Sequence, residues 1–158
     1  MPQLSDRLTP IGAIARGLVA GAAGTAAMTA AQIAYLKATG GGSSSTPAEV
    51  GKRISEGVFG REVSDDEMPV LNNVMHVAYG TSWGALYGIV AGSRRRADRP
   101  RGIAFGLVVW GASLVELPAM KLAPPVWDYP PASLASDVGF HVVYGVATSA
   151  AWSLLDRR

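Results

Sequence analysis

Residues 11–36 read IGAIARGLVAGAAGTAAMTAAQIAYL, an apolar stretch in which Arg16 is the one charged residue. At about 1.5 Å of rise per residue, a helix of this length crosses a hydrocarbon core of about 30 Å. Three further apolar stretches follow, over residues 69–92, 102–120 and 134–155. The sequence therefore predicts an all-α integral membrane protein with four transmembrane helices in a single domain, residues 1–158.

The composition indicates that water is not the only solvent of this chain. Of its 158 residues, 49% are hydrophobic and 16% are charged, whereas a water-soluble domain carries about 25% charged residues. The stretches are richer in alanine and glycine than in leucine, so a buried soluble bundle is the alternative fold. The absence of cysteine excludes disulfides, thiol nucleophiles and thiolate metal sites. Since neither a nucleophile elbow nor a phosphate-binding glycine loop is present, we expect no enzymatic activity.

Arginine residues predict the orientation of the four spans. They stand near the start of the first stretch, between the second and third, and at the C-terminus: Arg7 and Arg16; Arg94, Arg95, Arg96, Arg99 and Arg101; Arg157 and Arg158. An even number of spans places these three groups on one side, which the positive-inside rule identifies as cytoplasmic. We therefore expect a bacterial cytoplasmic membrane, both termini inside, and arginines that serve topology and anionic lipid instead of nucleic acid.

The two outer connections are then residues 37–68 and 121–133. The first contains a predicted short amphipathic helix over residues 47–59, which caps the bundle or lies on the outer membrane surface. Its predicted apolar stripe consists of Val50, Ile54, Val58 and Phe59. The acidic run at residues 64–67 is interpreted as a solvated face. The second connection is rich in proline and places Trp127 and Tyr129 where interfacial rings usually lie.

Two short patterns recur in the chain. HVAYG at residues 76–80 matches HVVYG at residues 141–145, and RGxxxG occurs at residues 16–21 and 101–106. Both histidines of the chain belong to the first pattern. The recurrence predicts two helical hairpins in parallel orientation, related by a pseudo-two-fold axis along the membrane normal.

Small residues predict how the helices pack. They recur at every fourth position of the first and second spans, as Ala13, Gly17, Gly21, Thr25 and Thr29, and as Gly80, Gly84 and Gly88. Such stripes let helix backbones approach closely in lipid, where no water-driven core forms.

Six polar residues are predicted to face one another inside the bundle, near its outer side: His76, Tyr79, Glu116, Asp137, His141 and Tyr144. Ionisable groups at such depth are functional candidates by default, although hydrogen bonds that join helices are an alternative role. A protonatable cluster is one interpretation, because imidazole titrates near pH 6.5. A bis-histidine haem b is another, with Gly80 and Gly145 making room for the macrocycle. A divalent metal site lacks diagnostic spacing, so we expect neither metal nor cofactor.

Residues 116–145, ELPAMKLAPPVWDYPPASLASDVGFHVVYG, resemble the C-terminal signature of YagU-like bacterial inner-membrane proteins. In that family a proline-bearing helix end precedes a PP[VL][WF]xxP turn and an S[ED]xxGH-type helix start. The matching residues are Pro118, Pro124, Pro125, Val126, Trp127, Pro130, Ser136, Asp137 and His141, and the second span matches through His76, Gly80, Gly84 and Tyr87. Asp137 stands where Glu is frequent, and Phe140 where Gly is common. The resemblance implies an inner-membrane bundle associated with acid tolerance and transfers no catalytic residue.

These observations predict a small multi-pass, non-enzymatic membrane protein whose His/His/Glu cluster responds to pH, in acid tolerance or in proton- or solute-linked transport. One alternative is a haem b electron-transfer protein. Another is a scaffold that binds a membrane-protein partner, or a second copy of itself, through its small-residue stripes.

Overall fold

The computed structural model describes residues 9–40, 44–93 and 99–156, of which residues 99 and 100 are described by their backbone alone. Within these ranges there are five α-helices and no strand. The helices are α1 (Pro10–Thr39), α2 (Thr46–Phe59), α3 (Met68–Gly92), α4 (Arg99–Ala119) and α5 (Pro131–Leu155). The prediction of an all-α fold is thus confirmed for the described part of the chain. The four apolar stretches fall on α1, α3, α4 and α5, and the predicted short helix on α2.

Prolines and caps explain where the helices begin and end. Pro10 starts α1, and the side-chain oxygen of Thr9 accepts the N–H of Gly12 at 3.1 Å. Proline fits the first helical turn, where its missing N–H costs no hydrogen bond. Helix α1 ends at Gly40, whose φ of 69° lies in the left-handed region that favours glycine.

Helices α1 and α5 are neighbours in the middle of the bundle, with α3 packed on α1 and α4 packed on α5. Aromatic rings close the remaining side between α3 and α4. Phe105 of α4 lies 4.8 Å from Tyr87 of α3 and 5.7 Å from Tyr144 of α5, measured between ring centroids. Trp152 is fully buried beside Tyr87. The core is therefore a column of aromatic rings between thin helices.

Helices α1 and α3 cross through glycines on both sides. A Cβ atom built on Gly21 would lie 2.6 Å from the carbonyl oxygen of Gly80 and 2.7 Å from the Cα of Gly84. Gly17 meets the backbone of Gly84 in the same way. No side chain fits at these positions without moving a helix, which is how the small-residue stripe acts in packing.

Helices α4 and α5 form a second crossing of the same kind. A Cβ atom on Gly102 would lie 2.8 Å from the carbonyl oxygen of Gly145, and one on Gly145 would lie 2.8 Å from the Cα of Gly106. Gly106 also meets the carbonyl group of His141. Both glycines of each RGxxxG pattern thus lie at a helix crossing.

Helix α2 covers α3 with small residues, not with its predicted apolar stripe. Ala48 and Gly51 are buried, and a Cβ atom on Gly51 would lie within 2.9 Å of Leu71 and Met75. Val58 and Phe59 are 72% and 74% exposed. The prediction that Val50, Ile54, Val58 and Phe59 form the packing face is therefore wrong for Ile54, Val58 and Phe59, which are exposed. The face with Ala48 and Gly51 packs instead, because small side chains let α2 approach α3 most closely. The helix does cap the bundle.

The acidic run has a structural role beyond that of a solvated face. Ser64 and Glu67 form a reciprocal capping box around a short 3-10 segment, directly before α3. The backbone N–H of Ser64 donates to Glu67 at 3.1 Å, and Arg61 pairs with the same carboxylate. The Ser64 N–H lowers the pKa of Glu67 below its ordinary value, with help from Arg61.

Three described helices are long and apolar enough to cross a membrane: Pro10–Thr39, Arg101–Ala119 and Pro131–Leu155. Helix α3 has 25 residues and no charge, but polar residues such as Asn72, Asn73 and His76 lower its mean hydropathy. The membrane character is thus supported by three helices, and the span over α3 stays a prediction.

Several arginines on which the predicted orientation rests lie outside the described residues: Arg7, Arg94, Arg95, Arg96, Arg157 and Arg158, together with the side chain of Arg99. Arg16 is described, and its Nη1 lies 3.2 Å from Oδ1 of Asp156. This ion pair brings the start of α1 and the end of α5 to the same end of the bundle.

Candidate functional site

The six polar residues singled out by the sequence lie on α3, α4 and α5, together with Trp110 of α4. We call the side chains of these seven residues the polar layer: His76, Tyr79, Trp110, Glu116, Asp137, His141 and Tyr144. Hydrogen bonds divide the polar layer into separate groups, so the residues do not all meet at one point.

Tyr79 and Glu116 join α3 to α4. The hydroxyl of Tyr79 donates to Oε2 of Glu116 at 2.9 Å. Both residues are exposed on the outside of the bundle. Glu116 thus has a neutral phenol as its partner, not a histidine.

Asp137 is held between α4 and its own helix. The indole N–H of Trp110 donates to Oδ2 of Asp137 at 2.9 Å. Nδ1 of His141 lies 2.9 Å from the backbone carbonyl oxygen of Asp137 and 3.5 Å from its Oδ1. Because a carbonyl oxygen only accepts, we assign the proton of a neutral His141 ring to Nδ1, which leaves Nε2 as an acceptor.

Tyr144 joins α5 to α3 inside the core. Its hydroxyl donates to the carbonyl oxygen of Gly80 at 2.6 Å, and the residue is 2% exposed. The bond links the two HVxYG segments directly, since Gly80 belongs to one and Tyr144 to the other.

His76 is the unexplained member of the polar layer. Its Nε2 is shielded from solvent and has no hydrogen-bond partner within the described part of the chain, a situation that costs about 1–3 kcal/mol. Among the described residues no group of three or more His, Asp or Glu side chains could hold a metal ion.

The two glycines that a haem would need as free space are both in contact with neighbouring helices. A Cβ atom on Gly80 would meet the side chain of Thr25, and one on Gly145 would meet the backbone of α4. These glycines therefore serve helix packing and do not open a gap for a macrocycle between α3 and α5.

A cavity of about 160 Å³ lies beside Asp137, and sequence reasoning missed it. Its walls come from the second half of α4, the proline-rich connection and the start of α5: Ser113, Leu114, Leu117, Pro118, Ala123, Pro124, Tyr129, Ser133, Leu134 and Asp137. The signal that could have found it is the density of prolines, since rigid turns hold a connection away from the helices that it joins.

The chain matches the model of a known protein family. The family model described as "Protein of unknown function (DUF1440)" matches residues 49–150, from α2 into the last third of α5. This stretch holds the whole polar layer and the cavity. No curated protein and no solved structure matches the chain.

Proposed function

The chain belongs to the DUF1440 family, and we propose that it is a four-span, non-enzymatic protein of a bacterial cytoplasmic membrane whose polar layer responds to acid. Within that family we place it with the YagU-like proteins, whose signature its residues 116–145 resemble. The physiological role is acid tolerance or proton-linked transport of a solute.

His76 carries the proposal. A neutral ring with a buried, unpaired Nε2 is a poor structural element, because an apolar residue of similar size would avoid the cost. Such a group is suited to change state.

A protonated His76 has a carboxylate to move toward. His76 and Tyr79 are three residues apart on α3 and so lie on neighbouring parts of the helix surface. Tyr79 donates to Glu116 at 2.9 Å. Since a charged imidazolium competes for the carboxylate more strongly than a phenol does, protonation favours exchange of the Tyr79 bond for a bond from His76. Helices α3 and α4 shift relative to each other as a result.

The glycine crossings support the two-hairpin arrangement. Gly80 lies where α3 crosses α1, and Gly145 lies where α5 crosses α4. Each HVxYG segment is therefore packed against the RGxxxG segment of its own hairpin. The uncharged α3 is paired with the apolar α1 along this crossing, which favours a common bilayer environment for both.

Exposed aromatic rings in the two outer connections support contact of these connections with the membrane surface. Trp127 is 80% exposed in the second outer connection and Phe59 is 74% exposed in the first. Aromatic side chains of this kind are usual at the boundary between headgroups and acyl chains.

The decisive experiment follows tryptophan fluorescence of the purified protein between about pH 8 and pH 5, the range in which histidine titrates. Trp83 reports on the polar layer because its ring lies 6.1 Å from that of Tyr79. We expect one pH-dependent transition in the wild type, its loss in His76→Gln, and its retention in the control Ser82→Ala on the exposed face of α3. A wild type without a transition, or a His76→Gln variant that keeps it, contradicts the proposal.

Topology is tested separately. Reporter fusions after Arg96 and at the C-terminus should both report the cytoplasm. A reporter outside the cell at either position would exclude the proposed four-span arrangement.

A further inference from the structure

The cavity beside Asp137 has the size of a small organic guest. Its volume is about 160 Å³, close to that of an engineered protein cavity of about 150 Å³ that holds benzene. Leucine and proline account for half of the lining residues, including Leu114, Leu117, Pro118 and Leu134. An occupant therefore needs an apolar body of about six non-hydrogen atoms.

One wall of the cavity is charged. Asp137 contributes a carboxylate, whereas no lysine, arginine or histidine is among the lining residues. The Trp110 N–H occupies its Oδ2 at 2.9 Å, and the side chain remains 45% exposed. Of the other titratable groups on the packed elements, His141 lies 3.5 Å from Oδ1, Glu116 is bonded to Tyr79 of α3, and Lys121 and Asp128 of the connection are exposed and outside the lining. The Asp137 carboxylate is thus held by one indole N–H and lies 3.5 Å from one histidine ring.

The other polar groups of the cavity wall suit a guest that donates hydrogen bonds better than one that accepts them. Tyr129, Ser113 and Ser133 are also lining residues. The Ser113 hydroxyl donates to the carbonyl oxygen of Trp110 at 2.7 Å, so its oxygen can still accept. A primary ammonium group has three N–H donors, which a carboxylate and hydroxyl oxygens can accept. An aromatic ring attracts such a cation as well. An anion is repelled by Asp137, and a neutral guest leaves the carboxylate without a counter-charge.

We infer that the cavity between α4, the proline-rich connection and α5 binds a primary ammonium group carried on a short apolar body. Two sources carry this group, a free alkylamine and the headgroup of an ethanolamine lipid, and both can reach the cavity at the end of the bundle where α4 ends and α5 begins. This inference does not depend on the titration of His76.

The test uses the full chain purified in detergent without ethanolamine lipid. Binding of n-butylammonium is measured by calorimetry and compared with 1-butanol, a neutral molecule of the same shape. We expect n-butylammonium to bind, and 1-butanol to bind about tenfold more weakly or worse, as the loss of one charge-assisted hydrogen bond predicts.

Three variants locate the site. Asp137→Asn should weaken the binding of n-butylammonium by about tenfold or more. Ala123→Leu, which fills the cavity, should abolish binding. Asp128→Asn removes an exposed carboxylate from the same connection and should bind as the wild type does. Thermal unfolding of each variant confirms that it is folded. Equal binding of amine and alcohol, unchanged affinity in Asp137→Asn, or no binding to the wild type would each overturn the inference.

Bilayer discs distinguish the two sources of the ammonium. If the lipid headgroup is the occupant, n-butylammonium binds more weakly in discs that contain phosphatidylethanolamine than in discs of phosphatidylcholine. If a free amine is the occupant, its affinity is the same in both, and Asp137→Asn weakens it in both.

Discussion

The segment HVAYG on α3 and the segment HVVYG on α5 present the same side chains to different neighbours. His76 has an unpaired Nε2, whereas His141 is bonded to the carbonyl group of Asp137. Tyr79 is 37% exposed and donates to a carboxylate, whereas Tyr144 is 2% exposed and donates to a backbone carbonyl. The tyrosine of the first segment therefore lies at the surface of the bundle, and the tyrosine of the second lies in its core.

The position of each helix in the bundle explains the difference. Helix α5 lies between two long helices, α1 and α4, which enclose its segment. Helix α3 has only one long helix as a main neighbour, α1, and its other neighbour is the short α2. The crossings are also offset. Gly21 meets Gly80 and Gly84, but its counterpart Gly106 meets His141 and Gly145, one helical turn earlier in the pattern. The recurring pattern therefore determines which face of each helix packs. The neighbouring helices and the offset of the crossings determine what each side chain contacts.

The largest expected effect comes from the paired glycines. Gly145→Ala should destabilise the protein by about 3 kcal/mol, because the new methyl group meets the backbone of α4. Gly80→Ala should cost about 1 kcal/mol, because its obstacle is the Thr25 side chain, which can rotate. Unfolding in detergent measures both, with Gly139→Ala as the control in open space, where alanine should be neutral or stabilising. Equal losses at Gly80 and Gly145 would contradict the difference between the crossings.

The paired tyrosines should show the next largest effect. Tyr144→Phe removes a buried hydrogen bond and should cost about 1.5 kcal/mol. Tyr79→Phe removes a bond at the surface of the bundle, where the Glu116 side chain can turn to another partner, and should cost about 0.5 kcal/mol in detergent. The same unfolding assay compares the two variants, and a larger loss at Tyr79 would show that its bond to Glu116 carries more of the stability.

Substitution of the two histidines should change the stability of the protein in opposite directions. His76→Leu removes an unpaired polar atom and should leave stability unchanged or raise it by about 1 kcal/mol, while His141→Leu loses a hydrogen bond and should cost about 1 kcal/mol. If His76→Leu is at least as stable as the wild type but fails in acid survival of cells, His76 is retained for function and not for folding. A large loss of stability at His76 would indicate a structural role.

The smallest effect concerns the starts of the two helices. Glu67 caps the segment before α3, whereas α5 begins with prolines and no side-chain cap. Because the folded state lowers the pKa of Glu67 from 4.5, its contribution is present above that value and is lost as pH falls through the lowered pKa. Amide exchange at residues 64–68 should therefore increase in acid, relative to the start of α5, in the wild type. In Glu67→Ala, which has no side-chain oxygen to accept the Ser64 N–H, the difference should be present at neutral pH as well.

The sequence was sufficient to predict the helices and their glycine contacts. Apolar stretches bounded by prolines give α1, α3, α4 and α5, and the stripe from Ala13 to Thr25 gives the buried face of α1. These features depend on residues close together in the chain. The face by which α2 packs was mispredicted because Ala48 and Gly51 act by being small, which a search for bulky apolar residues overlooks.

The partners of the polar side chains could not be predicted. Depth along a helix follows from the sequence, but the rotation of α4 that brings Trp110 to Asp137, and Glu116 to Tyr79, depends on how three helices fit together. The cavity depends in addition on the path of the proline-rich connection. Neither is recorded in a local pattern.

The bond from Tyr144 to α3 ends on main chain and not on a side chain. A carbonyl oxygen is present whichever amino acid follows Tyr79, so evolutionary drift along α3 cannot remove the acceptor. The alignment of α5 with α3 along the bundle is thereby protected from substitution on the α3 side, and depends on a single hydroxyl on the α5 side.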